Sequence, residues 1–429
     1  MHKEDFEITL NNISKIEGHA GLDVKVRSGE VEHVKLRVFE NMRFFKEAAI
    51  GRRFNSVHQL VSRICGTCST AHLMGCIECI EHIFDIPVSE QSKALKHLTM
   101  NGLHIRDHAM HLFFFCLPDL LGKDSVLDFK SEEEKELLHK ALHIKEVGNS
   151  MGNIIAGRAV HPTLPTIGGF LHVPKKDDVA MLIKMIKEER DTAIEFVDLF
   201  YEWDKSLERD TNYIATVSDK YNFWEGYIAD SKGVCIPDFN FTDYLNRVVI
   251  PYSQAEGFLY EGDTYMVGAI ARMNLGKDTL HKNTRKDVGK YLSVFPSKNI
   301  YHNNLAQAIE IVHALDHSLE ILESTEFKEE RPPVFEPRSA GGTGIVEAPR
   351  GTLYYYLEFD SAGNVSMADI VIPTAQNQVM MEKDIGMLVQ QMLNAGATRE
   401  HIEREIEILI RAYDPCMSCA THFLQVNWD

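Results

Sequence analysis

Two Cys-x-x-Cys pairs stand near opposite ends of this 429-residue chain: Cys65 and Cys68 in Arg63-Ile64-Cys65-Gly66-Thr67-Cys68, and Cys416 and Cys419 in Asp414-Pro415-Cys416-Met417-Ser418-Cys419-Ala420-Thr421-His422. Brought together, they supply the donors of a four-thiolate metal site, and the rest of the chain is then the frame that joins them. Thiolates are soft ligands that favour zinc, iron–sulfur, nickel or copper over magnesium or calcium. Zinc ribbons usually keep their pairs about 15 to 20 residues apart, whereas here almost the whole chain intervenes. Such a separation staples a small fold poorly but builds a site at a core well. On spacing alone, a structural zinc site and a redox metal site both remain open.

The charge balance narrows the partners. The formal net charge is −18, which argues against nucleic acid or an anionic membrane as the main partner, since both require a basic footprint. With 44% apolar and 25% charged residues, the chain is globular and long enough for a large buried core. The opening Met1-His2-Lys3-Glu4-Asp5-Phe6 has no apolar signal region. The longest apolar run, Leu112-Phe113-Phe114-Phe115-Cys116-Leu117, is too short to span a bilayer. A cytoplasmic location is therefore expected, with the eight cysteines as thiols or metal ligands rather than disulfides.

The pattern predicts an α+β fold, mainly α, with a large helical body and small antiparallel β elements at its edges. Residues 22–38 alternate apolar and polar around Ser28-Gly29-Glu30 and read as a hairpin. Helical periodicity covers about 42–62, 69–84, 89–117, 132–157, 177–209, 304–325, 377–395 and 398–412. The stretch from about 212 to 300 shows no clear order. The segment from Arg331 through Gly341-Gly342-Thr343-Gly344 reads as loop, and 352–357 with 365–372 as a second hairpin.

Several polar residues stand out in this frame. On a helix beginning at 69, positions 68, 72, 76 and 79 share one face, so His72 is placed to hydrogen-bond the Cys68 sulfur and tune a bound metal. Cys76 and Cys79 read as small core residues. Glu17, Glu47 and the histidines His108 and His111 carry default readings: solvated acids for the first two, satisfied core imidazoles for the others. Arg350, in Glu347-Ala348-Pro349-Arg350-Gly351, puts a guanidinium in a rigid turn entering a hairpin. Ile370-Val371-Ile372-Pro373-Thr374 ends a strand at a proline, leaving a carbonyl and a hydroxyl at its tip.

Taken together, these motifs resemble the large subunit of nickel-iron hydrogenases, most closely the soluble coenzyme-coupled and sulfhydrogenase-like type. The resemblance runs from Ile16-Glu17-Gly18-His19 to His422. It implies one large-subunit domain over residues 1–429, with 423–429 as an extension that the family removes on maturation. It implies that Cys65 and Cys416 are terminal thiolates on nickel. Cys68 and Cys419 would bridge nickel to an iron carrying CO and cyanide. Arg350 would hang over the metals with Asp107 and Asp414 beside it, Pro373 and Thr374 would face the iron's cyanide, and Glu17 would relay protons from Cys416. Glu47, the carbonyl of Ile370 and His422 would hold a separate Mg2+ or Fe2+. The implied activity is reversible heterolytic cleavage of H2. The implied partners are an iron–sulfur small subunit, further flavin or iron–sulfur subunits, a maturation protease and nickel-insertion factors. Two departures stand in the chain, Lys15 where the family often has Arg, and Gln376 where membrane-bound uptake enzymes carry Trp. Two alternatives stay in view: a metal-free relative such as the quinone-site subunit of a complex I-like enzyme, and a structural zinc protein.

Overall fold

A computed structural model describes residues 5–39 and 44–421. Strands β1 (Phe6–Leu10), β2 (Ala20–Arg27) and β3 (Glu30–Val38) form an antiparallel sheet in sequential order. The expected hairpin is β2–β3, turning at Ser28-Gly29, where both residues have positive φ. Leu22, Val24 and Val26 face the core while Asp23 and Lys25 lie half-exposed between them, as a period of two demands.

The helical span expected at 42–62 arrives as two helices, α1 (Phe45–Ala49) and α2 (Phe54–Val61). Between them Gly51 takes φ +77°. Its N–H donates to the Val365 carbonyl, and the Arg52 carbonyl accepts from Val365 N–H. This tertiary pairing outcompetes the local helix. Next come α3 (Ser69–Ile83) and α4 (Glu90–Met110), the latter running through a π-helical turn at His111–Cys116 into α5 (Leu117–Leu120). The helix α6 (Glu132–Ala156) opens on a Ser131/Glu134 capping box and stops at Gly157 with φ +82°. The two-residue strands β4 (Pro165–Thr166) and β5 (Gly169–Phe170) precede α7 (Lys176–Tyr201).

The unreadable middle holds strands of only two to six residues, too short to display a period. These are β6 (Asn212–Val217), β7 (Tyr227–Asp230), β8 (Cys235–Ile236), β9 (Leu245–Val248), β10 (Gly257–Tyr260) and β11 (Tyr265–Met266). One sheet has the order β11-β6-β7-β8, with β11 parallel to β6, and β9 pairs with β10. The short helices α8 (Ala269–Gly276) and α9 (Lys282–Val288) lead to α10 (His302–Ser324).

The segment Gly341–Gly344, expected as loop, belongs to a strand. β12 (Ala340–Ala348), β13 (Gly351–Phe359) and β14 (Val365–Val371) form a three-stranded antiparallel sheet, so the second hairpin has a third member. The glycines serve packing rather than turning. A Cβ on Gly344 would lie 2.4 Å from the backbone nitrogen of Cys79 in α3, so only glycine lets helix and strand approach this closely. The chain closes with α11 (Pro373–Asn394), α12 (Arg399–Ala412) and α13 (Met417–Ala420). Helix α11 starts at Pro373 rather than near 377, because proline suits the first helical turn. Nearly every residue of α3 is buried, which marks it as a central helix. No helix among the described residues is long and apolar enough to cross a membrane.

Candidate metal centre

The two cysteine pairs meet. Cys65 sits in the connection from α2, Cys68 is the N-cap residue of α3, Cys416 precedes α13 and Cys419 lies within it. The four sulfurs lie within 4.8 Å of one another and all four residues are buried. Individual Sγ–Sγ separations are 3.4 Å for Cys65–Cys416, 2.9 Å for Cys68–Cys419 and 2.7 Å for Cys416–Cys419. The ends of the chain are sewn together by backbone as well: Glu17 and Cys416 form a parallel β-bridge, and Met417 N–H donates to the Glu17 carbonyl at 2.9 Å.

Hydrogen bonds from Cys416, Cys419 and Cys68 hold the Cys65 thiol well below its ordinary range, whereas burial pushes Cys416 and Cys419 up. Four buried sulfurs this close repel one another as thiolates, so full ionisation requires cationic compensation at their centre. The all-sulfur donor set fits a soft transition metal such as nickel, and rejects calcium or magnesium.

Around the sulfurs lies a polar shell. Arg350 occupies the two-residue turn that joins β12 to β13 and so leads into the expected hairpin of β13 and β14. Its guanidinium donates to Asp107 Oδ2 at 2.7 Å and to Asp414 Oδ1 at 2.9 Å. Burial opposes its charge, but the two carboxylates hold its pKa well above the ordinary value. Its buried Nε has no hydrogen-bond partner. Arg350, His72, Pro373 and Thr374 line one small cavity with Cys68, Cys416 and Cys419. Thr374 Oγ1 also accepts from Cys416 N–H at 3.0 Å, and His72 Nδ1 lies 2.7 Å from the Tyr355 hydroxyl.

Glu17 is no solvated acid. Its Oε2 accepts from Cys416 Sγ and from Ser418 N–H, both at 3.1 Å, and its Oε1 lies 4.0 Å from Cys65 Sγ. Burial, and then the nearby Cys65, push its carboxyl up. Glu47 is exposed on α1, which packs on β14, where Ile370 is buried. His422 lies outside the described residues, as do residues 423–429. His108 and His111 are both core histidines, but only His111 is satisfied at both ring nitrogens, reaching Gln307 at 2.6 Å and the Arg411 carbonyl at 2.7 Å; His108 Nε2 lies 2.7 Å from Glu310 while its buried Nδ1 has no hydrogen-bond partner. Cys76 and Cys79 are fully buried in the core.

Sequence reasoning missed three residues that support this shell. Gln307 donates to Asp414 Oδ2 at 2.9 Å, while Arg272 and Glu310 form a buried ion pair behind the Arg350 turn. The signal was present: each charge stands alone in an apolar run, Ala269-Ile270-Ala271-Arg272-Met273 and Ala308-Ile309-Glu310-Ile311-Val312. A lone charge on an otherwise buried helix requires a partner.

Similarity to known proteins agrees with this geometry. The family profile described as nickel-dependent hydrogenase matches residues 43–140 and 232–422. The chain is 31% identical to the alpha chain of sulfhydrogenase 1 of Pyrococcus furiosus, over 98% of each chain. It is 28% identical to a chain of the F420-non-reducing hydrogenase of Methanothermobacter marburgensis, over 97% of this chain and 94% of that one. In structure it is similar to an NAD+-reducing [NiFe]-hydrogenase in the H2-reduced state, with a TM-score of 0.88 and 21% identity over 97% of this chain and 99% of the other. It also resembles the Ni-Fe-Se hydrogenase of D. vulgaris Hildenborough, with a TM-score of 0.78 and 21% identity over 98% and 100% of the two chains. Four converging cysteines and relatives that span both chains from end to end leave one assignment: this chain belongs to the nickel-dependent hydrogenase family, as a catalytic large subunit.

Proposed function

We propose that Cys65 and Cys416 hold nickel as terminal ligands, and that Cys68 and Cys419 bridge it to an iron carrying CO and cyanide. The pair of metals supplies a redox-active, Lewis-acidic centre for heterolytic cleavage of H2. The observation that carries the reading is the 3.1 Å contact between Glu17 Oε2 and Cys416 Sγ, which gives one sulfur of the cluster a proton acceptor. Cys416 takes the proton, Glu17 receives it, and the upward shift of Glu17 brings its carboxyl closer to working pH, as a relay requires. Arg350, held between Asp107 and Asp414, keeps positive charge over the centre, and its unpartnered Nε is free to face a diatomic ligand or the gas. Pro373 and Thr374, at the N-terminus of α11, line the cavity beside the four cysteines and would face a cyanide ligand of the iron, and His72 lines the same cavity beside Cys68.

Two electrons would leave through iron–sulfur clusters held by a small partner subunit. The remaining cysteines support this: Cys76, Cys79 and Cys116 are buried within the core and Cys235 is exposed, so the four cysteines of the centre are the only close set among the described residues. Relatives that are themselves single subunits of larger hydrogenases point the same way. Further flavin or iron–sulfur subunits would pass the electrons to a coenzyme in the cytoplasm. Glu47, the Ile370 carbonyl and His422 would bind Mg2+ or Fe2+, oxygen-rich donors with one imidazole suiting a hard cation. We read residues 1–429 as a single unit, with 423–429 removed by a maturation protease after nickel-insertion factors have loaded the centre. The test is H2-dependent dye reduction by the purified complex: Cys416→Ala abolishes it, and activity that survives this change would overturn the assignment.

A further inference from the structure

A second buried arginine stands behind the first. Arg272 of α8 is almost wholly enclosed, as are the two glutamates it meets. Its fork engages Glu310 at 2.6 Å through Nε and 2.8 Å through Nη2. Nη1 donates to Glu347 Oε2 at 2.9 Å and to the Ala348 carbonyl at 3.0 Å, and Nη2 donates to the Pro349 carbonyl at 3.0 Å. All five guanidinium N–H groups are therefore used. The two carbonyls belong to the residues that immediately precede Arg350.

Each glutamate is itself fixed. Glu310 accepts from Tyr221 at 2.5 Å and lies 2.7 Å from His108 Nε2. Glu347 Oε1 accepts from Thr216 N–H at 2.7 Å and from Thr352 Oγ1 at 2.8 Å. Because Glu347 and Thr352 are register partners on β12 and β13, that last bond braces the turn from both sides. Gly351 closes the turn at φ +128°, and a Cβ there would lie 2.6 Å from Val267 and 2.7 Å from Gly268 N, so the turn is pressed onto the entrance to α8.

We propose that Arg272 is a positioning residue for catalysis: by clamping the carbonyls of Ala348 and Pro349, it sets the height and direction of Arg350 over the four-cysteine centre. Stability alone does not ask for this device, since buried ion networks often contribute no more than apolar packing of the same volume. A five-point fork does fix orientation, and lysine cannot copy it because an ammonium has no planar donor array. The proposal rests on the reading of Arg350 as the side chain that faces the reacting gas.

A double-mutant cycle on the holoenzyme separates the two. H2/D2O exchange is measured for Arg272→Lys, Arg350→Lys and the double variant, normalised to nickel content and with melting temperatures recorded. Arg350→Lys alone is expected to slow exchange strongly; a wild-type rate there refutes the reading of Arg350. Arg272→Lys is expected to lose about 10- to 100-fold, the scale of a misplaced catalytic group. In the Arg350→Lys background the same change should cost at most about 2-fold, because it acts through Arg350. Equal losses in both backgrounds, or no loss with Arg272→Lys, overturn the clamp. Should Arg272→Lys fail to take up nickel, Thr352→Val loosens the same turn by removing only the Glu347 brace, and the same cycle, with the same two outcomes, is run on that variant.

Discussion

Replacing Glu17 by glutamine tests the proton route with the least disturbance to the fold. Glutamine keeps length and shape, and its amide oxygen still accepts from Ser418 N–H, the 3.1 Å bond that ties Glu17 to α13. The same oxygen, Oε2, meets Cys416 Sγ at 3.1 Å in the native site, so glutamine keeps the contact and removes only the charge of the carboxylate and its capacity to take up a proton. The net worth of one such hydrogen bond is about 1 kcal/mol, so melting temperature and nickel uptake should stay near wild type. The chemical effect is far larger. A positioned acid–base group contributes about 10²- to 10⁴-fold, and glutamine cannot exchange a proton at all. Exchange of H2 with D2O should therefore fall by about that factor, while reduction of the complex by dithionite is retained. Glu17→Asp should fall between the two: one methylene less withdraws the carboxylate by about 1.5 Å, which breaks direct contact but leaves room for a bridging water. Exchange at the wild-type rate in Glu17→Gln would refute this route.

Two further outcomes follow from the frame. Gly344→Ala would drive a Cβ to 2.4 Å from the backbone of Cys79 in α3; it should cost about 1–3 kcal/mol by overpacking and, by shifting the helix that starts at Cys68, lower nickel uptake, both read by thermal melts and metal analysis. Glu134 in the α6 capping box is held at about 2, first by the backbone N–H of Ser131 and then by that of Lys130. Its folded pKa lies below the unfolded one, so its stabilisation is present above about 4.5 and is lost as pH falls towards 2. Glu134→Gln should therefore lower the melting temperature at neutral pH, with a gap to wild type that narrows below about pH 4.5.

The site was far more legible in the sequence than the frame around it. Cys65, Cys68, Cys416 and Cys419 declared a shared centre because two Cys-x-x-Cys pairs together make a complete four-thiolate donor set, and the long helices declared themselves by sustained periodicity. What misled was chemistry whose meaning is set by distant neighbours. Gly341, Gly342 and Gly344 look like a loop until β13 is seen lying against the first and α3 against the other two. Residues near Gly51 read as helix because nothing local announces the hydrogen bonds to Val365. Glu17 looked solvated, since its burial depends on a segment nearly 400 residues away in sequence. Arg272 and Glu310 were visible as isolated charges in apolar runs, but only the fold pairs them.

The most direct test of the account is the metal in the four-cysteine centre. Elemental analysis together with infrared spectroscopy of the matured complex should find stoichiometric nickel and iron, with sharp bands from CO and cyanide bound to iron. Zinc in place of nickel, with no such bands, would contradict it.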